Sequence, residues 1–451
     1  MVLATAIILS FLFISGNFLL TYLLYKRINR INLLIVFIFA LILFNGIIPV
    51  FLVSEATKNS YDYSLIIINR YSALDILMYY ILNIIMLISA FFGWLIIKKR
   101  SELIDAIEES VSMSLNYKTI KNLSIIFLLS SIFLYYLYSR AYGGFIYLLE
   151  YTTAIRSGTM NINNSFSFLQ KFGGFSIFSS LLFSGLVLEK EHLRRDVVWL
   201  VFSILFSIYY LFSLGGRVSL ISFVTVLILG YIFYRYQNKI TLSLVIKTVL
   251  IVLGIILGLY YITYIFARGT SSLSIKDFFI QELSYPLASF KMVSNSTELF
   301  WFKHVILSPL YFLPQSIWGS RLGLDTASSY NTFLFTGARK GERGITGSVP
   351  LDLLSFSWLE GGVIGVVIIG LLFGLLLAIL QKYINSISNK GVSSLIFSYV
   401  SVKFSVMIVN YGDTVHIIQG EFAFIIGFFI LMFFLVRNSK KAKKYTYARL
   451  E

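Results

Sequence analysis

The residues of this sequence with the clearest chemistry are basic side chains that stand beside glycines. Residues 336–344 read Thr-Gly-Ala-Arg-Lys-Gly-Glu-Arg-Gly and contain Arg339, Lys340 and Arg343. Glycines let backbone amides approach an anion, and guanidinium groups clamp it with charge-assisted hydrogen bonds. Each such bond contributes about 1.5 to 3 kcal/mol, so three or four can hold a phosphate or pyrophosphate group. We therefore predict an anion-binding site in this cluster.

Two further arginines stand at the ends of apolar runs. Arg217 comes directly after Gly215-Gly216, a pair that predicts a very tight turn between two helices. Arg268 follows the apolar run near residues 243–266. The alternative for Arg217 is that it only snorkels from a helix end towards water. If all these arginines face the same side, one shared anion site is favoured.

A second candidate binding region is residues 140–171, which begin RAYGGFIYLLEYTTAIRSGTMN. Its aromatic rings, Tyr147 and Tyr151 among them, have faces on which sugars could stack, and Arg156 adds a positive charge. The alternative is an amphipathic cap whose aromatic side chains lie at a membrane interface. Both interpretations stay open on the sequence alone.

The sequence carries no signature of metal or nucleotide chemistry. It has no cysteine, and its histidines, His192, His304 and His416, share no metal-ligand spacing. Neither an HExxH motif nor a P-loop nor a dinucleotide fingerprint occurs. We therefore expect no cofactor and no metal, and an energy source that is already stored in an activated lipid substrate.

These residues belong to a chain that needs lipid as its solvent. Of 451 residues, 58% are hydrophobic and 13% are charged, with a mean hydropathy of +0.83. Soluble domains have about 25% charged residues, and a membrane-spanning helix needs about 20 apolar residues. Eleven such runs occur, near residues 2–25, 31–53, 76–97, 123–139, 172–188, 197–214, 218–234, 243–266, 360–380, 392–410 and 422–436. We therefore predict an all-α fold, a polytopic transmembrane helical bundle of about 11 spans within a lipid bilayer.

The placement of charge predicts the orientation of the bundle. If Lys26, Arg27 and Arg30 are cytoplasmic, the short loops obey the positive-inside rule. The amino terminus is then outside, and the basic tail of residues 438–451 is inside. The net charge of +16 reflects this topology, and we expect no nucleic-acid partner.

This topology gives four regions: spans 1–8 in residues 1–266, a large, partly helical extracytoplasmic loop in residues 267–351, spans 9–11 in residues 352–437, and the cytoplasmic tail. Within the loop, residues 298–318 are apolar enough to imitate a span. A lysine, a histidine and two prolines in this range favour an interfacial or re-entrant segment instead. In the ninth span, Gly361, Gly362, Gly370 and Gly374 predict close helix packing.

The order of these motifs resembles a known family. A Gly-Gly-Arg turn opens a helix, an arginine follows the next helix, and a large loop leads to GITGSVPLDLLSFSWLEGG at residues 344–362 before a glycine-rich span. The sequence YGGFIYLLEYTTAIRSG stands upstream at residues 142–158. Over about residues 140–380, the chain resembles the Wzy-type O-antigen and oligosaccharide repeat-unit polymerases.

The resemblance implies a glycosyltransferase that uses no nucleotide sugar and acts at the outer face of the cytoplasmic (inner) membrane. A hydroxyl of one polyprenyl-pyrophosphate-linked oligosaccharide attacks the anomeric carbon of another, and polyprenyl pyrophosphate leaves. Positioned arginines stabilise the charge that develops on the leaving group. The positions that match external basic residues of the family are Arg217, Arg268, Arg339 and Arg343. A chain-length regulator could be a further partner.

The resemblance also implies further site residues. A general base for the acceptor hydroxyl must be a carboxylate or an imidazole within hydrogen-bond reach, and the candidates are Asp352, Glu342 and His304. Catalysis by charge stabilisation and positioning alone is the alternative. We expect substrate contacts from Lys340, Arg156, Tyr151, His304 and Glu342.

Two other functions fit this architecture. An O-antigen ligase-type transferase, which moves the finished lipid-linked glycan to another acceptor, needs the same arginines. The ligase pattern adds a histidine in the large loop, where His304 stands in a different sequence context. A lipid-linked oligosaccharide flippase or transporter is also apolar and basic, but it should have shorter outer loops and more charge inside the bundle.

Overall fold

The computed structural model describes residues 1–28, 30–58, 62–105, 116–152, 164–189, 194–215, 217–237, 275–314, 316–340, 342–345 and 347–447, with scattered residues between 247 and 258. These residues form helices and turns and no strand. The first ten α-helices are α1 (Val2–Ile28), α2 (Leu33–Leu41), α3 (Ile48–Ala56), α4 (Tyr63–Asn69), α5 (Ala73–Asp105), α6 (Tyr117–Ser139), α7 (Phe145–Glu150), α8 (Phe175–Leu188), α9 (Arg194–Ser213) and α10 (Arg217–Tyr236). The next nine are α11 (Ile275–Leu283), α12 (Tyr285–Ser294), α13 (Lys303–Ile306), α14 (Ala327–Thr336), α15 (Leu353–Asn385), α16 (Lys390–Val400), α17 (Met407–Asn410), α18 (Thr414–Gly420) and α19 (Phe422–Tyr447).

Nine helical stretches within the described ranges are long and apolar enough to cross a membrane. They coincide with nine of the eleven runs predicted from the sequence. The run near residues 422–436 lies in α19, which together with α18 forms a pair bent by 67°, the geometry of a broken span or of a re-entrant loop. The run near residues 243–266 lies largely outside the described residues. The chain is therefore a multi-pass helical membrane protein, and the number of spans and the side of each terminus stay predictions.

The helices form two compact units, each assembled from segments that are distant in sequence. Unit 1 consists of Met1–Lys98, Tyr264–Ala378 and Lys403–Ile417. Unit 2 consists of Lys99–Thr263, Ile379–Val402 and Ile418–Glu451. The long segment 267–351 belongs to unit 1, so its described side chains share a core with the first five helices.

In unit 1, α5 packs against α15 through glycines. A Cβ atom added at Gly370 would lie 2.9 Å from the carbonyl oxygen of Met86. One added at Gly374 would overlap the carbonyl oxygen of Ala90. The absence of side chains at these two positions lets the backbones meet, as the glycine spacing predicts.

Helix α15 is divided by a break at Gly361 and Gly362. Its 33 residues would be about 50 Å long, which exceeds the hydrocarbon thickness of about 30 Å. Gly362 has a φ of 62°, which favours glycine. Residues 353–362 are almost entirely buried, whereas exposed apolar side chains recur from Val363 onwards. The break therefore separates a membrane span of about 34 Å from a short buried helix, a role that packing-based reasoning did not predict for these two glycines.

In its described part, the segment 267–351 folds into short helices joined by turns. The apolar range 298–318 contains the four-residue α13, a 3-10 helix at Ser308–Phe312 and the beginning of a π-helical turn at Ser316–Arg321. Each of these pieces is too short to cross a membrane. The backbone of unit 1 therefore turns repeatedly in this range, and buried polar side chains hold it in place.

Unit 2 has a core that is rich in tyrosine. Tyr135 of α6 is fully buried, and its hydroxyl lies 2.6 Å from that of Ser213. Its ring meets that of Tyr210 edge to face, with centroids 5.2 Å apart. Beside this core, the side-chain amide of Asn164 donates to the carbonyl oxygen of Tyr138 at 3.0 Å. These contacts anchor the two ends of the aromatic region that the sequence singled out at residues 140–171.

Candidate functional site

A buried pair of a carboxylate and an imidazole joins α13 to α15. Nδ1 of His304 contacts Oε1 of Glu360, and the backbone N–H of His304 donates to Oε2 at 3.2 Å. His304 is 2% exposed and Glu360 is 0% exposed. A carboxylate on Nδ1 orients the ring and leaves Nε2 to exchange a proton. Among the contacts of His304 within the described residues, none uses Nε2.

The chain segment that precedes His304 is strained and tightly held. Trp301 and Phe302 have φ angles of 49° and 64°, which side chains with a Cβ atom rarely adopt. The N–H of Phe302 donates to the carbonyl oxygen of Glu360 at 2.8 Å. This oxygen ends the short buried helix, where the break in α15 removes its helical partner. The break therefore supplies an acceptor that fixes the segment carrying His304 and offsets its strain.

Three carboxylates act on the phenol of Tyr311. Its side chain is buried, and burial together with the negative charges of Asp413, Glu360 and Asp325 raises its pKa. Its hydroxyl lies 3.5 Å from the carbonyl oxygen of Asp325. Tyr311 therefore stays protonated at neutral pH and lies within electrostatic range of all three acidic residues.

Asp413 links this place to the beginning of α14. Its Oδ2 accepts hydrogen bonds from the backbone N–H of Ser328 at 2.9 Å and from the hydroxyl of Ser328 at 2.7 Å. The following residue, Thr414, donates its hydroxyl to the carbonyl oxygen of His304 at 3.3 Å. A carboxylate at this end of a helix is also favoured by the helix dipole. Residues 413 and 414 thus connect α14 with the His304 segment.

The predicted anion cluster forms an exposed loop after α14, which we term the basic loop (residues 337–344, with residue 341 outside the described ranges). Gly337 ends the helix with a φ of 70°. Arg343 has a φ of 47°, and its side chain is exposed. Lys340 is also exposed. The loop therefore presents its cations to the surroundings of unit 1.

Arg339 of the basic loop contacts two carboxylates. Its guanidinium lies 3.2 Å from Oδ2 of Asp325, and its side chain is 53% exposed. Its backbone N–H donates to Oε2 of Glu342 at 2.9 Å. Asp325, the partner of Arg339, and Glu360, the partner of His304, thus both raise the pKa of the same phenol, Tyr311.

Asp352, the second candidate base, is 1% exposed at the beginning of α15. Its Oδ2 accepts from the backbone N–H groups of Leu354 and Ser355 at 3.2 and 3.3 Å, as an N-cap residue does. Burial raises the pKa of Asp352 to about 7, although the hydroxyl and N–H of Ser355 act in the opposite direction. In this position it stabilises the short buried helix.

Two of the remaining predicted site residues belong to unit 2 and two lie outside the described residues. Arg217 begins α10 in unit 2, and Tyr151 follows α7 in unit 2 and is half-buried. Arg156 and Arg268 lie outside the described residues. His304, Arg339, Lys340, Glu342, Arg343 and the buried Asp352 all belong to unit 1.

Sequence reasoning missed three acidic residues of the cluster. Glu360 stands next to Gly361 in an apolar stretch, where an unpaired carboxylate is costly, and this signal could have predicted a buried partner. The same reasoning applies to Asp413, which lies between two apolar helices. Asp325 carries no such signal, because an aspartate in a polar loop is ordinary.

Comparison of the chain with models of known protein families, with curated proteins and with solved structures finds no match in any of the three.

Proposed function

We propose that the protein is a Wzy-type polymerase, a membrane glycosyltransferase that joins polyprenyl-pyrophosphate-linked oligosaccharide repeat units into a surface polysaccharide. In this proposal the segment 267–351 lies at the outer face of the cytoplasmic membrane, and the tail of residues 438–451 lies in the cytosol. The bond between the sugar and the pyrophosphate supplies the energy, so no nucleotide sugar takes part.

One observation supports the proposal most directly: unit 1 holds exposed cations and a buried carboxylate–imidazole pair, and the acidic partners of both raise the pKa of the same phenol. Arg339 is paired with Asp325, His304 is paired with Glu360, and the charges of both carboxylates act on Tyr311. Glycosyl transfer from a pyrophosphate needs both functions. Cations stabilise the leaving group, and a base takes the proton of the acceptor hydroxyl.

In the proposed step, Nε2 of His304 removes the proton as the acceptor oxygen bonds to the anomeric carbon of the donor. The bond between that carbon and the pyrophosphate oxygen breaks, and polyprenyl pyrophosphate leaves with the electron pair. Glu360 holds the imidazole and stabilises its protonated form, as carboxylates do in catalytic triads. Arg339, with Lys340 and Arg343, stabilises the charge on the departing diphosphate.

Access to His304 requires a movement of its neighbours. The imidazole is 2% exposed, and the ring of Phe300 covers it edge to face with centroids 4.8 Å apart. Phe300 also packs on Tyr330 of α14, 5.0 Å away. An acceptor hydroxyl therefore reaches the buried imidazole only when its surroundings move, and Phe300, two residues before the strained Phe302, is one of the side chains in contact with it.

The test is polymerisation by the purified protein. A synthetic polyprenyl pyrophosphate repeat unit should give a ladder of products with the unchanged protein, and Arg339→Ala and His304→Ala should each abolish it. Lys303→Ala is the matched control, because Lys303 is exposed and adjacent to His304 and should keep the ladder. A ladder that survives His304→Ala and Arg339→Ala would contradict the assignment of both residues.

The His304–Glu360 pair would serve a ligase equally well, which makes the ligase the second candidate. Deletion of the gene separates the two functions. A surface glycan with one attached repeat unit is expected for a polymerase, and no attached repeat unit is expected for a ligase. Transport of labelled lipid-linked repeat unit in vesicles without chain growth would instead favour a flippase.

A further inference from the structure

Arg339 holds two separate carboxylates with two different groups. Its guanidinium pairs with Asp325, and its backbone N–H donates a hydrogen bond to Oε2 of Glu342. Glu342 also donates its own N–H to the carbonyl oxygen of Arg339 at 3.0 Å. A single residue therefore has two contact points for anions, one on its side chain and one on its backbone.

Both carboxylates come from the protein itself and are easily displaced. The side chain of Asp325 is 31% exposed, and Glu342 is exposed. Exposed ion pairs contribute little to stability, because water screens them and ordering the side chains costs entropy. A ligand with more negative charge and more acceptor oxygens than a carboxylate can therefore replace them without a large loss for the fold.

The two contact points lie on one residue, so a ligand that fills both must carry two linked anionic groups. A diphosphate meets this requirement, because its two phosphoryl groups are joined through one oxygen. Lys340 and Arg343 are exposed in the same loop and add positive charge. A single phosphate could occupy one point but would leave the other to its carboxylate.

We propose that Arg339 is the centre of a two-point diphosphate site, and that Asp325 and Glu342 occupy its two points while no ligand is bound. The inference deepens the proposed function and rests on it for the natural source of the diphosphate, a polyprenyl pyrophosphate. On ligand binding, the guanidinium exchanges Asp325 for one phosphoryl group, and the backbone N–H exchanges Glu342 for the other.

The test is calorimetric titration of inorganic pyrophosphate and of orthophosphate into the purified full-length protein in detergent. Asp325→Asn and Glu342→Gln should each tighten pyrophosphate binding by about twofold to fivefold, the range set by loss of an exposed ion pair. Arg339→Gln should weaken it by at least about tenfold. Orthophosphate should bind more weakly than pyrophosphate and respond to only one of the two acidic substitutions.

The acidic substitutions are chosen to preserve the fold. Asp325 also accepts the N–H of Thr326 through Oδ1 at 2.9 Å, and asparagine can keep this bond. Glu298→Gln is the matched control, since Glu298 is an exposed acid of the same unit and should leave pyrophosphate affinity unchanged. Unaltered or weaker affinity in both acidic variants, with unchanged melting temperatures, would overturn the proposal.

Two further experiments distinguish a diphosphate from a lipid phosphate as the ligand, and the diphosphate site from the proposed polymerase function. Nanodiscs of phosphatidylglycerol, compared with phosphatidylcholine, should not compete with pyrophosphate, and competition would assign the site to monophosphate lipid headgroups instead. Polymerisation is assayed on the same variants. If pyrophosphate binds more tightly to the two acidic variants and more weakly to Arg339→Gln, but the unchanged protein makes no ladder, the polymerase proposal is refuted and the diphosphate site stands. If the unchanged protein makes a ladder but the variants do not bind pyrophosphate in this order, only the diphosphate site is refuted.

Discussion

Asp413 and Ser328 are 85 positions apart in the chain and are joined by two hydrogen bonds through one carboxylate oxygen. The pair connects the turn before α18 with the beginning of α14, whose other end leads into the basic loop. In the same turn, the N–H of Gly412 donates to the carbonyl oxygen of Leu351 at 2.8 Å. One short turn therefore fixes both the helix that leads into the basic loop and the residue before Asp352.

Loss of the Asp413 carboxylate should loosen this arrangement. We expect Asp413→Ala to destabilise unit 1 by about 2 to 3 kcal/mol, because two hydrogen bonds to a charged group are removed in a buried position. Asp413→Asn keeps one acceptor and should cost less. The one oxygen that asparagine retains can still accept both bonds from Ser328, so the apparent melting temperature in detergent should fall less for Asp413→Asn than for Asp413→Ala, and equal melting temperatures for the two variants would contradict the role of these bonds.

Glu360 should matter for turnover more than for binding. Glu360→Gln keeps the shape of the side chain but removes the charge that stabilises a protonated His304, so kcat should fall by about 100-fold with little change in KM. Steady-state kinetics on the synthetic repeat unit provide the measurement. A variant that changes KM alone would place Glu360 in substrate binding. Lys303→Ala again serves as the control.

The stability of unit 1 should depend on pH through Asp352. Burial raises its pKa to about 7 in the folded protein, against about 3.9 in an unfolded chain. The unfolded state therefore loses its proton first, and stability should fall as the pH rises from about 4 to about 7, by up to about 4 kcal/mol, and then level off.

Asp352→Asn tests this dependence, because asparagine can cap α15 without ionising. The variant should have a flatter profile of melting temperature against pH, and it should be more stable than the unchanged protein at pH 8. Glu298→Gln, which changes an exposed acid, should leave the profile as it is. A profile that Asp352→Asn does not flatten would show that other groups control it.

The contact between α5 and α15 should not tolerate a larger residue at Gly374. A Cβ atom there overlaps the carbonyl oxygen of Ala90, so Gly374→Ala should push the helices apart and cost about 1 to 3 kcal/mol. Gly16→Ala is the matched control, because no atom lies within 4 Å of a Cβ placed at Gly16 of α1. Equal melting temperatures of the two variants would mean that α5 and α15 do not pack as described.

The membrane part of the fold was predictable because one physical requirement dominates it. Backbone groups in hydrocarbon must be paired within a helix, so apolar runs of about 20 residues reveal spans directly. The packing role of Gly370 and Gly374 followed from their spacing. The exposed basic loop was also readable, because Arg339, Lys340 and Arg343 stand among glycines whose backbone permits such a turn.

The buried cluster was harder to predict because its members come from three separate segments. His304 was recognised for its chemistry, but Glu360, 56 positions away, appeared to belong to a span. The break that withdraws it from the span needs an extended Gly361 and a left-handed Gly362, and glycines are equally common at helix contacts. Asp352 was chosen as a base from its residue type, and its burial at a helix beginning depends on tertiary packing.

The break in α15 also determines how far the His304 segment lies from the hydrocarbon layer. Its longer part matches the thickness of the hydrocarbon layer, and the carbonyl at which it is interrupted is bonded to the segment that carries His304. The length of the membrane-spanning part of α15 therefore sets the position of the His304 imidazole relative to the bilayer. Under the proposed function, the membrane-matched part of α15 would hold His304 at the level where the diphosphate of a lipid-anchored substrate leaves the bilayer, whatever sugar the substrate carries.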